Sequence, residues 1–210
     1  MADELPIFEL PMVLLPGERV PLHIFEERYK RMIGDCLESG EPFGVVLRDA
    51  DGARSTGCTA FVTEVLERFE DGRLNVVVTG GEPFRVLDRF DDPEAPAAEV
   101  EVEASGEAEV ETEATDGATA AEQARAVFLD LAERASGERP DEGEIAAESA
   151  YGIAARIELP VEFKQRLLQV RDEAERMQML ATALQRLREA LDNAEEIAEH
   201  ARSNGKVRLG

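Results

Sequence analysis

LPGERVPLHIFEERY, at residues 15–29, contains the signals of a turn, a strand and a helix in immediate succession. Pro16-Gly17 is typical of a tight turn, because proline fixes φ at about −65° and glycine accepts positive φ. Val20–Phe25 follows as a strand with alternate positions buried. Glu26 then opens a helix, where a carboxylate favours the positive end of the helix dipole. This stretch therefore predicts a strand that leads directly into a helix.

The helix is expected from about Glu26 to Glu38, because apolar residues recur there at intervals of three or four and Gly40 offers a stop. Around it, residues 1–104 contain short apolar or alternating runs separated by glycine and proline. The runs are Ile7–Leu10, Val20–Phe25, Phe43–Leu47, Ala60–Leu66, Leu74–Val78, Phe84–Leu87 and Ala98–Val102. Such spacing is typical of a β-rich barrel or sandwich. Asp71-Gly72 favours a tight hairpin turn, so the strands on either side of it should pair.

An acidic stretch separates this half from the remainder of the chain. Between Asp91 and Ala124 there is no Lys or Arg. Val100 and Val102 alternate with glutamates, as on an exposed last strand whose charges discourage sheet stacking. We interpret residues 105–118 as a solvated linker, with an acidic docking segment as the alternative.

Residues 119–202 have helical periodicity and predict a helical bundle that ends in a long helix. The last helix should begin at Asp172, which forms a capping pattern with Glu175. From Met177 to Ala198 its apolar residues are spaced alternately by three and four, as in a coiled coil. At ~1.5 Å per residue this helix would be roughly 45 Å long. Its far end could therefore project and pair with a partner or with a second copy of the chain; alternatively, the whole seam packs on the preceding helices. Residues 203–210 form a tail.

Charge and composition argue against several classes of protein. The chain has 210 residues, enough for one sizeable domain or two small ones. Its 46 acidic and 23 basic residues give a formal net charge of −23, which disfavours binding to nucleic acid or anionic lipid. Cys36 and Cys58 are interpreted as reduced structural thiols, with a redox pair or a metal site as alternatives. An acidic N-terminus without a long apolar run predicts a cytoplasmic protein that does not contact membranes.

Several blocks of the sequence form a recognisable set. They are Leu5-Pro6-Ile7-Phe8, Leu15-Pro16-Gly17, Val20–Glu26 with Arg28-Tyr29, Gly57–Arg68, Asp71–Leu74, Gly80–Leu87 and Ala150–Leu184. Together these blocks resemble the N-terminal domain family of the Lon protease. Pro83 departs from the family pattern, in which an arginine or similar polar residue is common. The resemblance covers most of residues 5–190. It implies an α+β fold, with a PUA-like β-barrel over residues 1–104 followed by the helical bundle, and a role in engaging polypeptides.

Motifs for catalysis or cofactor binding are not found in the sequence. Gly205-Lys206 lacks the upstream glycine spacing of a phosphate-binding loop, and no serine lies in a G-x-S-x-G pattern. The two histidines, His23 and His200, lie in different halves of the chain, so few residues are available to form a Ser-His-Asp or Cys-His site. Histidine and cysteine spacing does not match a metal-ligand set. We therefore expect a protein that is not an enzyme and that uses no cofactor or metal.

The resemblance makes the segment that follows Val20 the candidate peptide-binding surface. The candidate residues are His23, Phe25, Glu26, Arg28 and Tyr29. Structural alternatives exist for three of them. His23 is also typical of a hydrogen-bonded structural histidine, and Glu26 and Arg28 are typical of an ordinary ion pair or helix cap.

Three functions are compatible with the sequence. The favoured one is a non-catalytic module that binds unfolded polypeptides or exposed apolar segments, as an adaptor or holdase in protein quality control. The alternative is RNA or small-ligand binding, because PUA-like barrels in other families bind RNA. That alternative predicts a shared surface for Arg19, Arg28, Arg31, Arg48, Arg54 and Arg85. The third is an enzyme of unrecognised chemistry, which would need a clustered pair of carboxylates.

Overall fold

The computed structural model describes residues 3–90, 96–103 and 115–204. Within these ranges the strands are β1 (Asp3–Leu10), β2 (Arg19–Ile24), β3 (Phe43–Asp49), β4 (Gly52–Arg68), β5 (Leu74–Phe90) and β6 (Ala97–Val102). The helices are α1 (Glu27–Ser39), α2 (Thr115–Ser136), α3 (Glu142–Ala146), α4 (Ala150–Ala154), α5 (Val161–Gln169) and α6 (Glu173–Asn204). Most of the expected linker and of the expected tail lies outside the described residues.

The described elements belong to two units that alternate along the chain. Unit 1 comprises Met1–Glu109 and Tyr151–Arg171, and unit 2 comprises Val110–Ala150 and Asp172–Gly210. Helix α5, expected in the helical bundle, therefore groups with the strands. Its Gln165 side chain donates from Nε2 to the Thr56 carbonyl of β4 at 3.1 Å. Periodicity predicts the buried face of α5, but it does not say which element covers that face. The boundaries of the domains stay a prediction.

The strands of unit 1 form one mixed sheet that closes on itself. Their order is β2-β5-β4-β3-β1-β6, and β6 also pairs with β5. Strands β1 and β3 are parallel, and the remaining pairs are antiparallel. The long β5 makes closure possible, because its first half pairs with β2 and β4 and its second half pairs with β4 and β6. The expected α+β fold, with a β-barrel and a long final helix, is confirmed.

Strands β4 and β5 form the hairpin that Asp71-Gly72 predicts. Arg68 lies opposite Leu74, and the Phe69 N–H donates to the Arg73 carbonyl at 2.9 Å. Gly72 has a φ of 82°, a region that favours glycine. The turn chemistry visible in the sequence therefore fixes the start of β5.

Helix α1 matches its predicted range to within one residue at each end. Tyr29, Met32, Ile33 and Cys36 form its buried face. The Gly40 N–H, at a φ of 76°, donates to the Cys36 carbonyl at 2.9 Å and ends the helix.

Phe84 occupies the centre of the barrel core and is fully buried. The core cluster around it consists of Leu5, Ile7, Val46, Ala98 and Val100. Two glycines make room for the ring. A Cβ atom on Gly44 would lie 2.6 Å from Phe84 Cζ, and a Cβ atom on Gly57 would lie 2.5 Å from the same atom. Glycine at these two positions is therefore required for the Phe84 ring to fit.

Unit 2 is built mainly on the packing of α2 against α6. Arg134 of α2 pairs with Asp192 of α6 and with Asp130 of its own helix. The Asp172 carboxylate accepts the Glu175 N–H at 2.8 Å, which is the predicted cap of α6.

The coiled-coil seam of α6 divides into two parts. Met177, Leu180 and Leu184 are buried, whereas Leu187, Leu191, Ala194 and Ala198 are exposed. None of the helices in the described ranges has the length and apolar composition needed to cross a membrane.

Candidate functional site

His23 lies at the end of β2, on the exposed side of the sheet. Its Nδ1 atom lies 2.6 Å from the Asn75 Oδ1 atom on the neighbouring strand. The Asn75 Nδ2 group in turn donates to Glu67 of β4 at 3.0 Å. The imidazole is therefore both hydrogen-bonded, as the structural alternative predicts, and accessible to a partner.

Phe25 extends the exposed aromatic surface beyond the end of β2. Its side chain is 59% exposed. Its ring stacks on His23 with a centroid distance of 5.9 Å, and His23 also meets the edge of Phe69 at 6.0 Å. We name His23, Phe25 and Phe69 the aromatic cluster. The Arg73 guanidinium lies over the Phe69 ring, 4.8 Å from its centroid, and so fixes one side of the cluster.

Glu26, Arg28 and Tyr29 have different roles in the structure. Arg28 Nε donates to Glu26 at 3.1 Å, and its guanidinium lies 4.4 Å from the centroid of the Tyr29 ring. Tyr29 itself is 3% exposed and packs on Phe8 with a centroid distance of 4.1 Å. Burial raises the pKa of the Tyr29 phenol above its usual range. Tyr29 therefore supports the surface from below, while the Glu26–Arg28 pair lies on it.

The exposed side of the β2-β5-β4 sheet continues from the aromatic cluster, and we name it the outer face. It consists of Arg19, Pro21 and His23 of β2, Asn75, Val77 and Thr79 of β5, and Phe61, Thr63, Glu64 and Glu67 of β4. Side-chain contacts cross the strands on this side. Arg19 pairs with Glu64 at 3.4 Å, and the hydroxyl oxygens of Thr63 and Thr79 lie 3.0 Å apart. Phe61 lies opposite Thr79 in the register, at the other end from the aromatic cluster.

An open groove with a volume of about 820 Å³ lies beside Phe61. We name it the groove. It is lined by Glu4, Leu5 and Pro6 of β1, by Asp35, Cys36, Ser39, Glu41 and Pro42 at the end of α1, by Thr59, Phe61, Gly81 and Glu82 of the β4–β5 pair, and by Val102 of β6. Phe61 is 42% exposed. The groove therefore offers an aromatic ring and other apolar side chains in a concave site, which is the usual form of a ligand-binding surface.

The position of Phe61 depends on the residue beside it. A Cβ atom on Gly81 would lie 3.2 Å from Phe61 Cε2 and closer still to Thr59 Oγ1. Thr59 Oγ1 accepts the Glu82 N–H at 2.7 Å. Glycine at position 81 therefore lets the ring lie against the strand and leaves its other side open to the groove.

The cysteine beside the groove is not set up for nucleophilic chemistry. Burial, followed by the charges of Asp35 and Glu41, raises the pKa of the Cys36 thiol, and burial raises the pKa of Cys58. Because the thiolate is the reactive form, both thiols should react slowly.

We expect a chromogenic disulfide reagent at about pH 8 to label the native protein at least tenfold more slowly than the protein unfolded in urea. A thiol that reacted equally fast in both states would contradict this.

A second cavity, of about 460 Å³, lies between α5 and the β3–β4 end of the barrel. Arg48 and Arg54 line it, but both are already paired with carboxylates. Arg48 donates to Glu9 at 2.6 Å, and Arg54 pairs with Asp49. These two cations are therefore engaged within the protein.

Most of the arginines on which the RNA-binding alternative depends are likewise paired with carboxylates. Among the six, Arg19, Arg28, Arg48, Arg54 and Arg85 each form an ion pair with Asp or Glu. Binding to phosphates requires cations that can replace counterions on one surface. These five arginines therefore do not form an uncompensated basic patch on unit 1.

Within the described ranges, no group of three or more His, Cys, Asp and Glu residues is arranged to hold a metal ion.

Comparison with known proteins identifies the family. Residues 4–186 match the model of the ATP-dependent protease La (LON) substrate-binding domain. The chain is similar to the crystal structure of a Lon N-terminal domain protein from Xanthomonas campestris, with 26% identity, a TM-score of 0.62 and coverage of 86% of this chain and 98% of that one. It shares its fold with the N-terminal domain of the Mycobacterium avium complex Lon protease, with 22% identity, a TM-score of 0.65 and coverage of 87% and 98%. Because the family match spans most of its length, the chain belongs to the family of the substrate-binding domain of ATP-dependent protease La (Lon).

Proposed function

We propose that this protein is a non-catalytic module that binds exposed apolar segments of unfolded polypeptides, as an adaptor or holdase in protein quality control. The observation that carries the proposal is the groove beside Phe61, in a chain of the substrate-binding family. Large apolar side chains are mostly buried in folded proteins and become available when a protein unfolds. A concave apolar surface therefore distinguishes the two states without reading a particular sequence.

The aromatic cluster supplies the second contact surface in this proposal. His23 and Phe25 contact the polypeptide directly, while Glu26 and Arg28 border the contact and Tyr29 supports it from the core. Aromatic side chains bury a large area at low entropic cost, which favours them as anchors. A chain that lies along the outer face would meet Phe61 at one end and the aromatic cluster at the other.

The direct test is binding of a permanently unfolded polypeptide and of its folded counterpart, both fluorescently labelled and followed by anisotropy. We expect the unfolded form to bind at least tenfold more tightly, a difference of about 1.4 kcal/mol. ATP should have no effect. Equal affinity for the two forms would overturn the proposal.

A matched pair of variants locates the contact. Phe61→Ser removes the aromatic ring from the groove, whereas Leu87→Ser removes a side chain that is 51% exposed and lies outside both the groove and the aromatic cluster. Burying a large apolar side chain is worth about 1.5–3 kcal/mol. We therefore expect Phe61→Ser to weaken binding of the unfolded polypeptide about tenfold and Leu87→Ser to leave it unchanged. Circular dichroism would verify that both variants are folded, and equal weakening would exclude the groove as the binding site.

A further inference from the structure

Among the described residues, the walls of the groove carry four carboxylates and no cation. Glu4, Asp35, Glu41 and Glu82 are all exposed, and the described part of the lining contains no Lys or Arg. Among the described residues, none of the four forms an ion pair. Within the described part of the chain, no cation therefore compensates their negative charge in this concave surface.

Elsewhere in unit 1 many carboxylates are neutralised locally. Glu9 pairs with Arg48 and Arg89, and Glu101 pairs with Arg85. A cleft lined by charge of one sign concentrates the electrostatic potential and attracts ligands of opposite charge. The groove therefore differs from its surroundings in attracting cations.

Apolar side chains lie between these carboxylates. Leu5, Pro6, Pro42 and Val102 line the groove together with Phe61. The half-exposed Phe61 ring is itself a site for a cation, since the face of an aromatic ring attracts Lys or Arg. The lining thus combines apolar contact with two attractions for a basic side chain, one to the carboxylates and one to the Phe61 ring.

We propose that the groove selects, among unfolded polypeptide segments, those that carry Lys or Arg beside apolar residues. This inference rests on the proposed polypeptide binding and adds its substrate class. The apolar residues of the segment contact the floor, and its basic side chains meet the carboxylates at the rim.

Three labelled, unstructured peptides test the preference. They have the same length and the same apolar residues, and the remaining positions are all Lys, all Ser or all Glu. We expect the Lys peptide to bind at least fivefold more tightly than the Ser peptide and the Glu peptide to bind most weakly. The preference should shrink at about 1 M salt, where the Debye length falls to about 3 Å.

A pair of triple variants separates the groove from the overall charge of the protein. Asp35→Asn/Glu41→Gln/Glu82→Gln removes three charges from the groove. Asp88→Asn/Glu158→Gln/Glu162→Gln removes three from exposed positions that do not line it. Both change the formal net charge from −23 to −20. We expect the groove variant to lose at least fivefold in affinity for the Lys peptide and to bind the Ser peptide as before, while the control variant keeps the preference.

Three results would overturn the inference, and they differ in what else they overturn. Equal binding of the Lys and Glu peptides would remove the charge preference but leave polypeptide binding in place. Equal losses in the two triple variants would assign the preference to net charge instead of the groove. If no peptide and no unfolded polypeptide bound, the proposed function would fall together with the inference.

Discussion

Replacing Phe84 by alanine is expected to lower the free energy of unfolding by about 3–5 kcal/mol, the usual cost of removing a fully buried phenylalanine. Phe84 is 0% exposed and belongs to the core cluster that joins β1, β3, β5 and β6. Gly44 and Gly57 have no side chains to move into the vacated space, and their backbone positions are fixed by strand pairing. The cavity would therefore stay open. Urea unfolding followed by circular dichroism measures the change.

Leu87→Ala is the matched control for this measurement, because Leu87 lies on the same strand but is 51% exposed. Substitutions at such surface positions usually change stability by less than about 0.5 kcal/mol. A loss of less than about 1 kcal/mol in Phe84→Ala would show that the barrel can collapse around the missing ring, contrary to its close packing.

The barrel half of the fold could be predicted in detail because its signals are local. The Asp71-Gly72 turn, the Gly40 helix stop and the order of strand, helix and strand after Pro16-Gly17 all depend on residues a few positions apart. Such signals act through backbone conformation, which a sequence reports directly. The requirement for glycine at positions 44 and 57 is not local, since it comes from the ring of Phe84, which is distant in the sequence.

The candidate site depends less on such local signals. His23 and Phe25 are candidates because of the motif in which they lie. Phe61 has no such signal, because it lies in the run Ala60-Phe61-Val62, where consecutive apolar residues do not indicate which side of a strand is exposed. The groove combines residues from both ends of the barrel sequence, from Glu4 to Val102. Only the closure of the sheet brings them together.

The location of α5 is a further feature that periodicity could not give. Its buried residues Leu167 and Leu168 would suit a helical bundle equally well. The polar contacts that join it to the barrel involve large sequence separations, as between Gln165 and Thr56. Ion pairs and hydrogen bonds of this kind have no signature in a single sequence.

The ion pair between Lys164 of α5 and Glu18 joins that helix to the barrel, and we expect Lys164→Met to lower the free energy of unfolding by about 3 kcal/mol. The two side chains are only 13% and 12% exposed. Glu18 also accepts the Leu15 N–H at 3.0 Å, so its carboxylate cannot easily turn to solvent. Removing Lys164 would therefore leave a largely buried negative charge without a partner. Urea unfolding measures the loss.

Two comparisons decide whether that cost comes from the stranded charge. Lys30→Met is the matched control: Lys30 is similarly buried at 14% exposed, but its partner Glu27 is 83% exposed and stays hydrated, so the expected loss is about 1 kcal/mol or less. Adding Glu18→Gln to Lys164→Met removes the negative charge and keeps an acceptor for Leu15. The double variant should therefore recover at least about 1 kcal/mol relative to Lys164→Met. If the double variant were no more stable than Lys164→Met, the cost would not come from the unpaired charge of Glu18.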